Sequence, residues 1–357
     1  MEMKMMKRFL TVAVLILAST FVSCQKEEPA NPPREYFTLW NQCEALSTLK
    51  AYVEDVTNPN SPNFIEAPDR IATFDMDGTF IGELYPTYFE YNLLEYRALD
   101  DPDYKGIAPA DVQEAAQDIR DFVRTKKPLP DHFDMKHANA AAKAYAGMTL
   151  AEFNSYVKAY AAKQANGFEG MTYGESFYKP MLEVFNYLRA NGFTFYVVSG
   201  SDRFICRALV ESLGIAPNRV IGMDVRLKSN KQGDEPGVEY TMGKEEYIIR
   251  TDELIIKTLK NNKVALISQE IGKVPVLSFG NSSGDTAMHN YCLTNTLKSA
   301  AFMLVADDDE HDHVDLEETA KREKTWRENG FHIISMKHDF KTIYGYSVRK
   351  VPFTFPE

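Results

Sequence analysis

Three apolar runs, at 70–74, 193–198 and 274–279, each end in a short loop made of Asp, Ser, Gly and Asn. The loops are Asp75-Met76-Asp77-Gly78-Thr79, Ser199-Gly200-Ser201 and Gly280-Asn281-Ser282-Ser283-Gly284-Asp285. Runs at 300–305 and 331–336 read as two further strands. Helical spacing of apolar residues lies between them, at 36–56, 88–98, 110–123, 137–146, 150–164, 176–191, 202–213 and 257–271. The segment 219–250 reads as a small β insert. Short, continuously apolar strands alternating with helices are buried on both faces. They specify an α/β fold with a parallel sheet flanked by helices. In such a sheet ligands bind beyond the carboxyl ends of the strands, so the three loops are expected to converge on one site.

The loop residues suit phosphoryl chemistry. Asp75 and Asp77, two apart past a strand end, can share a pocket if Gly78 lets the chain turn. One carboxylate can then attack phosphorus while the other moves a proton to the leaving group and later from water. Thr79, Ser199 and Gly200 offer hydroxyl and N–H groups to phosphate oxygens. A lysine beside the nucleophile would offset the phosphate charge. Lys257, Lys260 and Lys263, close together at the head of one helical stretch, are the candidates.

These motifs, in this order, resemble the haloacid dehalogenase superfamily of phosphohydrolases. The resemblance implies a Rossmann-like core, with Asp75 as nucleophile and Asp77 as general acid/base. Dehalogenases of the superfamily lack the second Asp, so Asp77 points to phosphate esters. It also implies Thr79, Ser199, Gly200 and Lys263 as phosphate-binding residues. Mg²⁺ would be held by Asp75, the Asp77 backbone carbonyl, Asn281 and Asp285. The family commonly carries Asp where this chain has Asn281. An amide oxygen can ligate a hard cation but brings no charge, so ligation by Asn281 and ligation through Asp285 or water both stay open. The long stretch between Thr79 and Ser199 matches a helical cap of the phosphoserine-phosphatase-like type. The expected layout is a core of 36–82 and 177–357 interrupted by a cap at 83–176.

The cap begins with Phe80, Tyr85, Tyr88, Phe89, Tyr91 and Tyr96, with Glu83 among them. Aromatic faces and an acid can hold a substituted ammonium, so phosphoserine, phosphocholine and phosphoethanolamine are candidate substrates. Packing of the cap core is the competing reading. The acidic stretch 307–313, with His311 and His313, is expected to rim the site without ligating metal.

Ahead of all this, Lys4, Lys7 and Arg8 precede an apolar run at 9–22 and then Ser23-Cys24. The run is short for a membrane span and suits an export signal. Ser23-Cys24 resembles the acylation site of bacterial lipoproteins, which implies a signal over 1–23 and a lipid on Cys24 as membrane partner. The Pro-rich polar stretch 24–35 reads as a tether. The chain is expected to work outside the cytoplasm. Its net charge of −11 and pI near 5.3 disfavour nucleic acid as a partner, because phosphates would be repelled. A small phosphorylated metabolite is the expected partner. A phosphotransferase or mutase on the same scaffold and a non-catalytic ligand-binding lipoprotein are the rival readings.

Overall fold

The computed structural model describes residues 35–355. The expected export signal, Cys24 and nearly all of the tether fall outside the described residues. Among the described residues, no helix is long and apolar enough to cross a membrane.

The chain enters through helix α1 (Glu44–Thr57), then strand β1 (Ile71–Phe74), helices α2 (Phe89–Leu99), α3 (Ala110–Thr125), α4 (Phe133–Ala144) and α5 (Leu150–Ala161). A short strand β2 (Phe168–Glu169) leads to α6 (Lys179–Ala190), β3 (Thr194–Asp202), α7 (Arg203–Val210), β4 (Val220–Ser229) and β5 (Ile248–Ile256). The remainder is α8 (Asn261–Glu270), β6 (Leu277–Gly280), α9 (Thr286–Leu293), β7 (Ala300–Val305), α10 (Leu316–Glu328), β8 (His332–Ser335), α11 (Met336–Asp339) and β9 (Arg349–Lys350).

Seven strands form one sheet in the order β5-β4-β3-β1-β6-β7-β8. Every pair is parallel except β4/β5. β1 lies centrally, with Phe74 opposite Val197 on one side and Phe279 on the other. All four of its residues are buried, as expected of a strand covered on both faces. One face carries aromatics: the Phe74 ring stacks on Phe279 at 4.3 Å and meets Phe185 of α6 edge-on at 4.6 Å. Removing the Phe74 ring would cost about 3–5 kcal/mol. The opposite face packs Val198 and Ile221 against Leu266 and Ile267 of α8 and Met288 of α9.

The α/β fold and its parallel sheet follow the sequence pattern. The differences have tertiary causes. The first helix starts at Glu44, not at 36, because 36–43 is used elsewhere. Cys43 caps the helix by accepting the Leu46 N–H, and Asn41 N–H bonds the Asp339 carbonyl at 2.8 Å. Helix α10 has no apolar stripe to announce it. Only Trp326 is buried, and pairs such as Lys321–Glu317 and Arg322–Glu318 line its surface. The β insert does not stand apart: β4 joins the main sheet and turns back as β5. β5 then meets the α4–α5 turn, where Gly147 N–H bonds Arg250 O and Arg250 N–H bonds Met148 O, each at 2.9 Å. Helices α2–α5 are thereby fastened to the sheet edge.

Candidate active site

Backbone conformation brings the two aspartates together. Asp75 N–H bonds the Phe279 carbonyl at 2.9 Å, holding the end of β1 to β6. Gly78, at φ +74°, then turns the chain, and the N–H groups of Thr79, Phe80 and Ile81 close on the Met76 carbonyl. A side chain on Gly78 would be strained at that φ and would collide with Asn281 and Glu83.

Lys263 reaches the site from the first turn of α8. The preceding Lys260 is held at φ +51° and its N–H bonds Gly284 O at 3.2 Å, which stitches α8 to the loop after β6. The Lys263 ammonium is 2% exposed and donates to Asp75 Oδ1 at 2.5 Å and to Asp285 Oδ1 at 2.6 Å. The other oxygen of Asp285 accepts Asn281 N–H at 3.1 Å, Ser282 N–H at 3.0 Å and the Ser282 hydroxyl at 3.1 Å. Burial and the Asp285 charge push the Asp75 carboxyl up to about 7, against the pull of Lys263. Burial works against the Lys263 charge, but its two carboxylates outweigh it and raise the ammonium further; Lys263 in turn holds Asp285 low.

Asp77 has a different environment. Ser201 Oγ donates to Asp77 Oδ2 at 2.7 Å, while Oδ1 is buried without a hydrogen-bond partner. Burial, opposed by the Ser201 hydrogen bond and reinforced by the charges of Glu90 and Glu83, raises this carboxyl to about 7. A proton on Oδ1 is therefore available near neutral pH.

The cavity between these groups has a volume of about 90 Å³, room for about three waters or a phosphate-sized group. Its far wall comes from α2, α4 and the turn before α8: Tyr88, Glu90, Tyr91, Asp134, Lys257 and Leu259. Glu90 is 5% exposed; it accepts from Lys257 Nζ at 2.8 Å and from Asp202 N–H at 3.1 Å. Behind it, the fully buried Arg250 pairs with Asp202 at 2.6 Å. His137 packs under Glu90, and burial lowers it to about 4, so the ring is neutral. A second cavity of about 480 Å³ shares Tyr88, Tyr91 and Asp134 with the first.

The structure brings Asp75, Asp77, Thr79, Gly200, Lys263, Asn281 and Asp285 together. Ser199 is fully buried and does not line the cavity; its hydroxyl accepts Ser201 N–H at 3.1 Å. β3 loses its regular register with β4 between Val198 and Asp202, and it is Gly200 and Ser201 that reach the cavity. Ser201 and Glu90 are wall groups outside the expected set; Ser201 had a signal in its position two residues past Ser199. Lys257, the competitor of Lys263, also lines the cavity but pairs with Glu90, while Lys263 pairs with Asp75. Of the six aromatics, Phe80, Tyr85 and Phe89 are wholly buried and Tyr96 packs against Lys163; Tyr88 and Tyr91 line the cavity. The 307–313 stretch does not rim it, contrary to expectation. Asp308 binds its own loop, Asp312 accepts from Tyr344, and His313 bonds Gly167.

The sequence model of haloacid dehalogenase-like hydrolases matches residues 72–288. The chain belongs to that family. Comparison with curated proteins gives no match. Among solved structures, a conserved functionally unknown protein from Anaerococcus prevotii is similar at 15% identity, with a TM-score of 0.51 over 87% of this chain and 99% of that one. A protein of unknown function from Bordetella pertussis aligns at 13% identity and TM-score 0.48, covering 74% and 97%. A phosphoserine phosphohydrolase-like protein from Francisella tularensis aligns at 13% and 0.41, covering 74% and 94%. The likeness to the Anaerococcus protein is one of fold.

Haloacid dehalogenase-like enzymes generally use Mg²⁺, and the residues here fit a hard cation. Asp75 Oδ2 and Asn281 Oδ1 share a single donor, the Thr79 hydroxyl, at 3.5 and 3.4 Å. One hydroxyl proton cannot serve both. Around them the carboxylates of Asp75, Asp77, Glu83, Glu90 and Asp285 outnumber the ammonium groups of Lys257 and Lys263. The donors are all oxygen, as Mg²⁺ requires. Both oxygens of Asp285 are hydrogen-bonded, Oδ1 to Lys263 and Oδ2 to the 281–282 backbone.

Proposed function

We propose that this hydrolase is a Mg²⁺-dependent phosphomonoesterase working through a phosphoaspartyl intermediate. The observation that carries the reading is the pairing of two unlike aspartates. Asp75 is held by Lys263 through Oδ1, and its Oδ2 has only the long 3.5 Å approach of the Thr79 hydroxyl. Asp77 is held by the Ser201 hydroxyl and keeps one buried oxygen unpartnered, with its carboxyl raised to about 7.

Asp75 attacks phosphorus while the third N–H of Lys263 and the backbone of Gly200 hold the phosphoryl oxygens. Asp77 gives its Oδ1 proton to the leaving oxygen, and the alcohol departs. Asp77, now ionised, takes a proton from water as that water attacks the phosphoaspartate, which restores both carboxyl groups. Mg²⁺, held by Asp75, the Asp77 carbonyl, Asn281 and Asp285, directly or through water, would supply charge neutralisation for the transferring phosphoryl group. Helices α2–α5 act as a cap whose wall excludes water and selects the alcohol.

The small inner cavity and its acidic, Tyr-lined wall support a small amino-alcohol phosphate as substrate. Its ammonium would lie against Tyr88 and Tyr91, near Asp134. The basic–apolar head and Ser23-Cys24 support an extracytoplasmic, lipid-anchored location. A panel of amino-alcohol, sugar and nucleotide monophosphates, assayed for phosphate release with and without Mg²⁺, tests the reading. Amino-alcohol phosphates should show the highest kcat/KM. Absence of hydrolysis across the panel would refute the phosphatase assignment.

A further inference from the structure

Asn281 stands where the resemblance leads one to expect an acid, and a carboxylate sits directly behind it. Glu83 Oε2 accepts from Asn281 Nδ2 at 2.7 Å. The Tyr88 hydroxyl lies beside Glu83 on the side of α2. Both partners lie over Gly78, the one residue type that leaves room for them there. An amide has two faces, an oxygen that attracts a cation and an NH₂ that repels one. With Nδ2 tied to Glu83, Oδ1 is turned toward Thr79 Oγ1, the same hydroxyl that Asp75 Oδ2 approaches.

We infer that Glu83 is a positioning residue for the Mg²⁺ site. It orients the Asn281 amide with its oxygen toward the cation. Partners of this kind behind a metal ligand typically change affinity by about 10–100-fold. The pair explains how this chain tolerates an amide in a site built for carboxylates, and it assigns Glu83 to the metal rather than to a substrate ammonium. The inference rests on the Mg²⁺-dependent reading above.

The test is Mg²⁺ affinity, measured by titration calorimetry on the full chain, in a cycle of wild type, E83A, N281D and E83A/N281D, with thermal unfolding confirming that each variant folds. E83A removes the acceptor that fixes the amide and should weaken Mg²⁺ binding by about tenfold in the wild-type background. In the N281D background a carboxylate has no face to choose. The same E83A change should there cost nothing. An equal loss in both backgrounds would overturn the positioning role, as would no loss in either. Absence of Mg²⁺ binding by the wild type is a separate result: it would refute the metal-dependent reading, and this inference with it.

Discussion

Two buried charge clusters face each other across the cavity, and they are assembled differently. One consists of Lys263 between Asp75 and Asp285. All three residues come from the ends of β1 and β6 and the start of α8, so strand-end loops alone put them together. The other consists of Lys257 on Glu90, with Arg250 on Asp202 behind it. It joins a cap helix, the turn before α8, the end of β3 and the β4–β5 hairpin. In the proposed mechanism the first cluster arranges the reacting groups. The second fastens helices α2–α5 to the sheet edge and forms part of the far wall of the cavity. The proposed chemistry is thus built on the sheet, and the proposed selection on an interface that holds together through desolvated charge.

That division can be broken at its second half. Glu90→Ala leaves Lys257 buried without its partner and the Asp202 N–H without an acceptor, which should cost about 3–5 kcal/mol. The companion Glu90→Gln/Lys257→Met removes both charges and should recover much of that loss. Urea unfolding of the two variants reads this directly. If Glu90→Ala were as stable as wild type, the cluster would not be what fastens the cap.

A smaller effect sharpens the contrast from the catalytic side. Asp77 carries a carboxyl raised from 3.8 to about 7 by burial. Because the folded form holds its proton more tightly than the unfolded chain, this group favours folding at low pH. Stability is lost as pH rises from about 4 through 7. Asp77→Asn abolishes the titration. Its stability should match wild type near pH 4 and exceed it by about 2 kcal/mol at pH 8, a discounted share of the full shift. Unfolding at the two pH values, with chelator present, measures it. An equal difference at both pH values would show that Asp77 is not held protonated by its site.

The same contrast explains what could be read from the sequence. Asp75 to Thr79, Gly200, Lys263 and the 280–285 loop are local motifs at strand ends, and parallel topology brings such ends together whatever the details. The strand pattern was legible for the same reason. Glu90 carries no local mark, and the partner of Lys257 could not be read, because a buried ion pair is defined by which distant elements meet. The aromatic segment was ambiguous until packing decided that Tyr88 and Tyr91 face the cavity while Phe80, Tyr85 and Phe89 fill the core. Which serine faces the cavity turned on an irregular register between Val198 and Asp202, invisible to a pattern of period two. Helix α10, polar nearly all round, had no periodicity to detect.

The central claim is that Asp75 carries the phosphoryl group. Rapid mixing with a hydrolysed phosphomonoester, followed by acid quench, borohydride reduction and peptide mass spectrometry, tests it most directly. The account predicts that Asp75 is converted to the reduced product in wild type, and that Asp75→Asn shows neither that product nor turnover while remaining folded. Turnover by Asp75→Asn, or a trapped phosphoryl group on any other residue, would contradict it.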